Sequence, residues 1–567
     1  FPLNRNGKID KNELPKPGEN EVIDANTSKP QTNLELMLYE IWSHLLSRKN
    51  IGMTDNYFSL GGDSIKAIQM ISLLREKGYR LSIKELYKKP TIAELSGCLV
   101  SSVAICSQEK ILGDVVLGAI QKWFFITKEK PFHHFNQDLL FEIPSAVDGN
   151  FIQQAISLLV QQHDMLRAVY TFQDGLPKQV VLETLLPTVE VETIVDDLEM
   201  ESITTKMNQN LNLEVGPLLR CLWVKSEKQN YLYLVIHHLV VDGISWRVII
   251  EDLQAMFKAF ANSEKPRLAK KSLSFKAWSE RLRDSNIFDG EVDYWKSVCL
   301  DSFGAFSVPA AVPFEVIDLQ STLDEEFTKQ LLGPVHSAFN TQINDILLLS
   351  LSQALTTIHG HENSLIYLEG HGRESIFEEI DISRTIGWFT SLYPVMLKTK
   401  RNLNLGNQIK HFKEDLRKIP HNGLGYGVLK YVKNHPNLNM AIAPILSFNY
   451  LGQFEEGPEE SGLRISHLKT GQTIAQHLLL TTGVEVNCFV RDSKLEIKLS
   501  FANQKLSLDL AQKLINSFVA NLNETIDFCV KTDEGGITPS DIDFDEFDID
   551  TRSEEHTSEL QSPCNLV

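Results

Sequence analysis

Three groups of residues in this chain have the types and spacing to do chemistry. The first is Ser64. It follows Gly61, Gly62 and Asp63 and opens an apolar-periodic run with Ile65, Ile68, Ile71 and Leu74 on one face. Two glycines allow a tight, exposed turn. A serine lifted onto a helix start, with no base beside it, suits a residue that receives a group rather than one that attacks. Its plain structural reading is an N-cap. The second group is His237-His238, with Asp242-Gly243 after three intervening residues. Adjacent histidines suggest a metal site, but neighbours on a strand point to opposite faces and cannot easily hold one ion. One ring can instead enter a cleft while the other packs. Imidazole is the side chain best suited to take and return a proton near neutral pH. The third is Glu369, which ends an apolar strand and precedes Gly370 and Gly372. Alone it reads as a surface carboxylate. Tyr450 alone reads as a core aromatic, and His371, Arg373 and Arg384 as structural hydrogen-bonders. His133 and His134 read as cleft-lining or structural, and Trp388 and Phe389 as packing.

The elements that must position these residues are legible from periodicity. Between residues 31 and 102 four amphipathic segments follow one another: Leu34 to Leu45, the run after Ser64, Ile83 to Tyr87, and Ile92 to Leu99. Four such segments in about 70 residues predict a small helical bundle. Beyond a connector at 103–115 the pattern alternates. Phe151 to Gln162, Leu253 to Phe260, Ile346 to Leu355 and Leu506 to Phe528 read as helices. Tyr231 to Leu239 and Leu365 to Glu369 read as strands. Mixed helix and strand over residues 116–535 exceeds one core and predicts two lobes, split near 295–310.

The chain has 567 residues and a net charge of -19, so electrostatics give a nucleic-acid partner no support. No apolar run is long enough to predict a membrane span. The seven cysteines form no C-x-x-C pair, which argues against a disulfide framework or zinc site. The chain begins with Phe1 and shows no basic-then-apolar leader, which predicts a piece of a longer cytoplasmic chain. Residues 18–30 read as a linker. Asp541 to Asp550 holds six acids in ten residues, and 536–550 reads equally as a docking segment or a solvated tail. Residues 551–567 share no pattern with the body and read as a non-native tail.

Longer strings carry a family resemblance. DNYFSLGGDSIKAIQ, Asp55 to Gln69, resembles the phosphopantetheine attachment site of a nonribosomal peptide synthetase carrier. HHLVVDG resembles the core motif of condensation and epimerisation domains and, more distantly, of chloramphenicol acetyltransferase. AIQKWFF, LEGHGRE, DISRTIGWFTSLYPV, HNGLGYG and FNYLGQF, in that order, resemble the epimerisation set. The departures are conservative, such as Ala119 where proline is usual and Ile386 where valine is common. NRNGKID, with Lys8, resembles the last motif of adenylation domains, which makes 1–17 a remnant of one. The resemblance implies a helical carrier at 31–102, then a two-lobed α/β domain of the chloramphenicol-acetyltransferase type that epimerises. It implies 4'-phosphopantetheine on Ser64, holding an amino acid or peptide as a thioester.

It also implies roles. His238 is the acid/base, and Glu369 faces it across the cleft in a two-base inversion from L to D, with no metal. Tyr450 or Asn449 orients substrate, relays a proton or supports the oxyanion. Asp242 is structural, paired with an arginine such as Arg384. The implied partners are a phosphopantetheinyl transferase, an upstream adenylation domain and the downstream condensation domain of another synthetase. A condensation domain using His238, and a silent docking module, are the alternatives. The adenylation pocket is absent, so the amino acid is not named.

Overall fold

The structure, a computed structural model, describes residues 29–101 apart from 47 and 49, 107–300 apart from 195, 197 and 198, 314–438 apart from 378 and 379, 444–454, 462–532 apart from 481, and 535–541. The adenylation-like remnant, most of the 18–30 linker, part of the 103–115 connector and the 551–567 tail lie outside them. So does most of the expected lobe split near 295–310, at 301–310, and most of the acidic run, from 542 on.

The first unit is helical: α1 (Asn33–Leu45), α2 (Ser64–Glu76), α3 (Ile83–Lys88) and α4 (Ile92–Ser96). Thr32 with Glu35, and Ser82 with Glu85, form capping boxes that start α1 and α3. Leu38, Trp42, Tyr57, Met70 and Leu74 make its core. The turn before α2 is glycine-dependent. Gly61 has φ +96°, and a Cβ on Gly62 would lie 2.3 Å from the Tyr57 ring.

The large unit holds two main sheets. In the first lobe β1 (Asn136–Ile143), β2 (Val189–Thr193), β3 (Leu219–Lys225) and β4 (Asn230–His237) belong to one sheet, flanked by helix α5 (Gly243–Ala261). In the second lobe β5 (Val316–Thr322), β6 (Asn363–Gly370), β7 (Ser391–Lys398), β8 (Leu446–Phe454), β10 (Val484–Arg491) and β11 (Lys494–Ala502) form a six-stranded mixed sheet in the order β5-β11-β10-β8-β6-β7. Helices α6 (Ile343–His359), α7 (Leu405–Arg417) and α8 (Leu508–Lys531) pack together beside it. Between β8 and β10 the chain crosses back, and β9 (Arg464–Ile465) pairs with β1 at the edge of the first sheet, order β9-β1-β4-β3-β2. One contiguous apolar cluster runs through both lobes.

One expected element is shorter than its apolar run. The strand read as Tyr231 to Leu239 stops at His237, and His238–Val240 form a 3-10 turn. The two imidazoles therefore part at the end of the strand, where the backbone turns, and not by alternation along it.

Candidate active site

The site lies where the helical unit meets the two lobes. β6 and β8 run parallel and pair through Tyr367–Ser447 and Leu368–Phe448. Past that point Glu369 and Asn449 stand side by side, and Asn449 Nδ2 donates to Glu369 Oε2 at 2.9 Å. Burial, with a smaller push from Glu485, lifts the Glu369 carboxyl to about 8. The next residue on β8, Tyr450, has a buried hydroxyl with no hydrogen-bond partner among the described residues. Burial holds it far above the usual phenol range, so it stays a neutral donor. The register with β10 then slips between Tyr450 and Gln453, a bulge that Gly452 permits at φ +82°.

Glu369, Asn449 and Tyr450 line one cavity of about 220 Å³. Its mouth is built by the helical unit: Phe58, Gly61, Gly62, Asp63 and Ile65 line it from that side. Asp63, not Ser64, caps α2, accepting from the Ile65 and Lys66 amides at 2.9 and 2.8 Å. The cap thus makes no demand on position 64. Arg247 lines the same mouth, and its one hydrogen bond among the described residues is a long 3.4 Å contact to the Gln453 carbonyl. A second hollow of about 320 Å³ shares Glu369, Gly370 and His371 with the first. Glu369 therefore stands at the junction of two spaces.

Asp242 also lines the first cavity, but its carboxylate is fully engaged. It accepts from Ser245 N, from Phe389 N and, at 3.0 and 3.2 Å, from Arg373 Nη2. Arg373, 3 % exposed, donates further to the Ile382 and Thr385 carbonyls. The expected pairing of Asp242 with Arg384 is thus corrected: the partner is Arg373. Arg384 is drawn instead to Glu251 and Asp252 further along α5, where Gln69 of the helical unit also contacts Glu251 at 3.3 Å. Arg384 belongs to the surface between the units and not to the cavity.

His238 is not among the cavity-lining side chains. Its ring lies 5.2 Å from Phe135 and 4.3 Å from Trp388, and Trp388 Nε1 donates to Thr390, which does line the cavity. Nδ1 of His238 lies 2.7 Å from the Val241 carbonyl, and Nε2 lies 3.2 Å from Gln137 Nε2. Burial lowers its pKa. His237 is fully buried, bonds the Phe132 carbonyl at 2.8 Å and is pushed down to about 3 by burial. His133 accepts from Leu213 N, and His134 bonds the Gln472 carbonyl. The structure thus gathers Glu369, Asn449, Tyr450 and Asp242, and leaves His238 outside that lining, against Trp388. Sequence reasoning missed Gln137 and Arg247 as partners at this site, and read Arg373 as a structural hydrogen-bonder without its partner Asp242. Gln137 sits in FHHFNQ, whose histidines drew the attention. Among the described residues no helix is long and apolar enough to cross a membrane, and no cluster of metal-ligating side chains occurs.

Comparison with known proteins bears on this geometry. Residues 111–541 match the condensation domain family. The chain belongs to that family. Ahead of the condensation-family domain, residues 38–99 match the phosphopantetheine attachment site family, so this carrier bears 4'-phosphopantetheine on a serine and is a substrate of a phosphopantetheinyl transferase. Similar proteins are nonribosomal peptide synthetases. Tyrocidine synthase 2 of Brevibacillus parabrevis is 34 % identical over 97 % of this chain and 16 % of its own length. Gramicidin S synthase 1 of Brevibacillus brevis is 33 % identical over 97 % of this chain and 52 % of its own. The chain thus spans only 16 % of the one relative and 52 % of the other. Among solved structures, the epimerization domain from the third module of tyrocidine synthetase B is similar at 31 % identity and TM-score 0.69, over 75 % of this chain and 100 % of that one. The first condensation domain of the calcium-dependent antibiotic synthetase, at 14 % identity and TM-score 0.56 over 74 % of this chain and 97 % of that one, shares the fold.

Proposed function

We propose that this condensation-family domain inverts the α-carbon of an aminoacyl or peptidyl group from L to D while the group is held on the adjoining carrier, at Ser64. The observation that carries the reading is Glu369. It is a carboxyl lifted to about 8, anchored through one oxygen by Asn449, in a cavity whose mouth is the start of carrier helix α2. Peptide-bond formation has no need of such an acid; inversion at a carbon does. The likeness to an epimerization domain at 31 % identity supports the same reading.

The residues at the mouth fit a phosphopantetheine arm. Asp63 and Ile65 flank position 64 on the cavity wall, and Arg247 offers a guanidinium there for a phosphodiester. Within, the orphan Tyr450 hydroxyl awaits an acceptor. When bound, the arm supplies a thioester, which acidifies the α-proton of what it holds. Glu369 exchanges a proton with that carbon through Oε1, the oxygen that Asn449 leaves free. Tyr450 donates to the carbonyl oxygen as negative charge develops on it. His238 serves the opposite face from the first lobe. Upstream activation by an adenylation domain and downstream use by a condensation domain complete the proposed setting.

The test loads L- and D-aminoacyl groups separately onto Ser64 in deuterated water and follows label and chirality. Epimerisation gives α-deuterium and a common final L/D ratio from both starts. Condensation through His238, the family's other activity, gives neither, and absence of exchange from both isomers sinks the proposal.

A further inference from the structure

Three side chains and a backbone carbonyl form a hydrogen-bond chain with one possible polarity. Trp246, on α5, places its indole Nε1 2.9 Å from Gln137 Oε1 on β1. An indole nitrogen only donates, so the group facing it is the carbonyl end of the amide. The other end of Gln137 is then an NH₂, which also only donates, and it lies 3.2 Å from His238 Nε2. His238 Nδ1 lies 2.7 Å from the Val241 carbonyl, which only accepts. Flipping the amide would set donor against donor at Trp246. Moving the proton from Nδ1 to Nε2 would set donor against donor at Gln137 and lone pair against lone pair at Val241. Both ends of the chain demand the same arrangement.

We infer that Gln137 is a positioning residue whose side-chain amide, locked by Trp246, holds His238 Nε2 unprotonated and fixes the ring as a proton acceptor in the resting enzyme. The surroundings agree. Phe135 and Trp388 cover the ring with apolar surface. The carboxylate acting on it is Asp242, which is committed to Arg373, and its neighbour His237 stays neutral. The lock also has a kinetic sense. A proton taken onto Nε2 displaces Gln137, so the protonated ring is held less tightly and is ready to give the proton back. Only this kinetic part rests on the epimerisation reading.

The experiment labels histidine with ¹⁵N in the full chain and reads His238 by nitrogen–proton correlation spectra, assigned by subtraction with His238→Gln. Expected is a neutral ring with Nδ1–H and bare Nε2. Gln137→Glu replaces the donor with an acceptor of nearly the same shape. It should raise the His238 titration midpoint by at least about one unit, which is tenfold in proton affinity. Gln137→Leu should raise it less and release the tautomer, and Trp246→Phe should do the same by freeing the amide to turn. An Nε2–H tautomer in the parent chain, or one unchanged midpoint across all three variants, overturns the inference. In the kinetic arm, the acid limb of kcat/KM for inversion should move with the midpoint in Gln137→Glu. A moved midpoint with an unmoved limb overturns the kinetic role. A chain that shows the lock but never inverts its substrate refutes the epimerisation reading and leaves the lock standing.

Discussion

The proposed inversion rests on one carboxyl, Glu369, and its environment makes two predictions. Glu369→Gln keeps the size and the bond from Asn449 but cannot exchange a proton. It should cut inversion by at least about 10²-fold, measured as the chirality of the carrier-bound group over time. The second concerns stability. The carboxyl ionises at about 4.5 when unfolded and at about 8 when folded. Between those values the folded state holds the extra proton, so its stabilising share is complete below about 4.5 and is lost as pH rises through about 8. Glu369→Gln removes that dependence, so denaturant midpoints of parent and variant should run together below about pH 4.5, separate progressively between about 4.5 and 8, and stay a constant distance apart above that, with the variant more stable. A parallel pair of curves would contradict the buried, proton-holding carboxyl. Arg373 and Arg384 separate in the same way. Arg373→Ala strands the buried Asp242 carboxylate and should cost roughly 3–5 kcal/mol of stability by chemical denaturation. Arg384→Ala, at the surface between carrier and catalytic domain, takes one partner from the buried Asp252 and leaves it His163, so it should cost less stability than Arg373→Ala and weaken docking.

At the scale of elements, β8 does the most with the least sequence. It carries Asn449 and Tyr450 to the cavity and then bulges at Gly452. A Cβ there would lie 3.0 Å from Ile65 Cδ1 of the carrier and 3.3 Å from Arg247 Nη2. Gly452→Val would therefore strain a left-handed residue and narrow the carrier's entrance. The expected result is a folded domain that inverts a small soluble aminoacyl thioester but handles its own carrier poorly. Equal loss on both substrates would move the effect from the entrance to the cavity. Much of this was legible beforehand. The helical stripes of the carrier, the run around Ile346–Leu355 and the strand that carries Glu369 all follow from the period of apolar residues. What was not legible depends on contacts distant in sequence. Nothing in the spacing of Asp242 shows that Arg373, 131 positions away, outcompetes Arg384 for it. Nor does local pattern reveal that the chain crosses back at Arg464 to pair with β1, or that an apolar strand breaks between two histidines. The same limit hid Gln137, whose meaning lies in Trp246 and His238 meeting it from another helix and another turn.

For the whole molecule the question is how a carrier visits this cavity and leaves again. Polar contacts help to hold it: Arg75 pairs with Asp381, Gln69 meets Glu251, and Gln453 Nε2 donates to the Gly61 carbonyl at 3.2 Å. Partly exposed pairs contribute about 1 kcal/mol or less each and are screened by salt. That is enough to orient a tethered partner, whose effective concentration is on the order of millimolar, and too little to trap it. The prediction separates tethered from free carrier. With the carrier supplied as an independent loaded domain, Arg75→Glu should raise KM about fivefold by losing the pair and facing Asp381 with like charge, while kcat holds. Added salt should raise the parent's KM toward that of the variant. Asp381→Arg in the catalytic domain should recover part of the loss for the Arg75→Glu carrier, because the charges are exchanged and not removed. In the intact chain, Arg75→Glu should change turnover little, since tethering compensates for weak contacts. A kcat loss in the separated assay would mean that the pair sets the pose of the substrate. A salt-independent KM would mean that the apolar contacts of Phe58 and Ile65 at the mouth, and not the charges, decide docking.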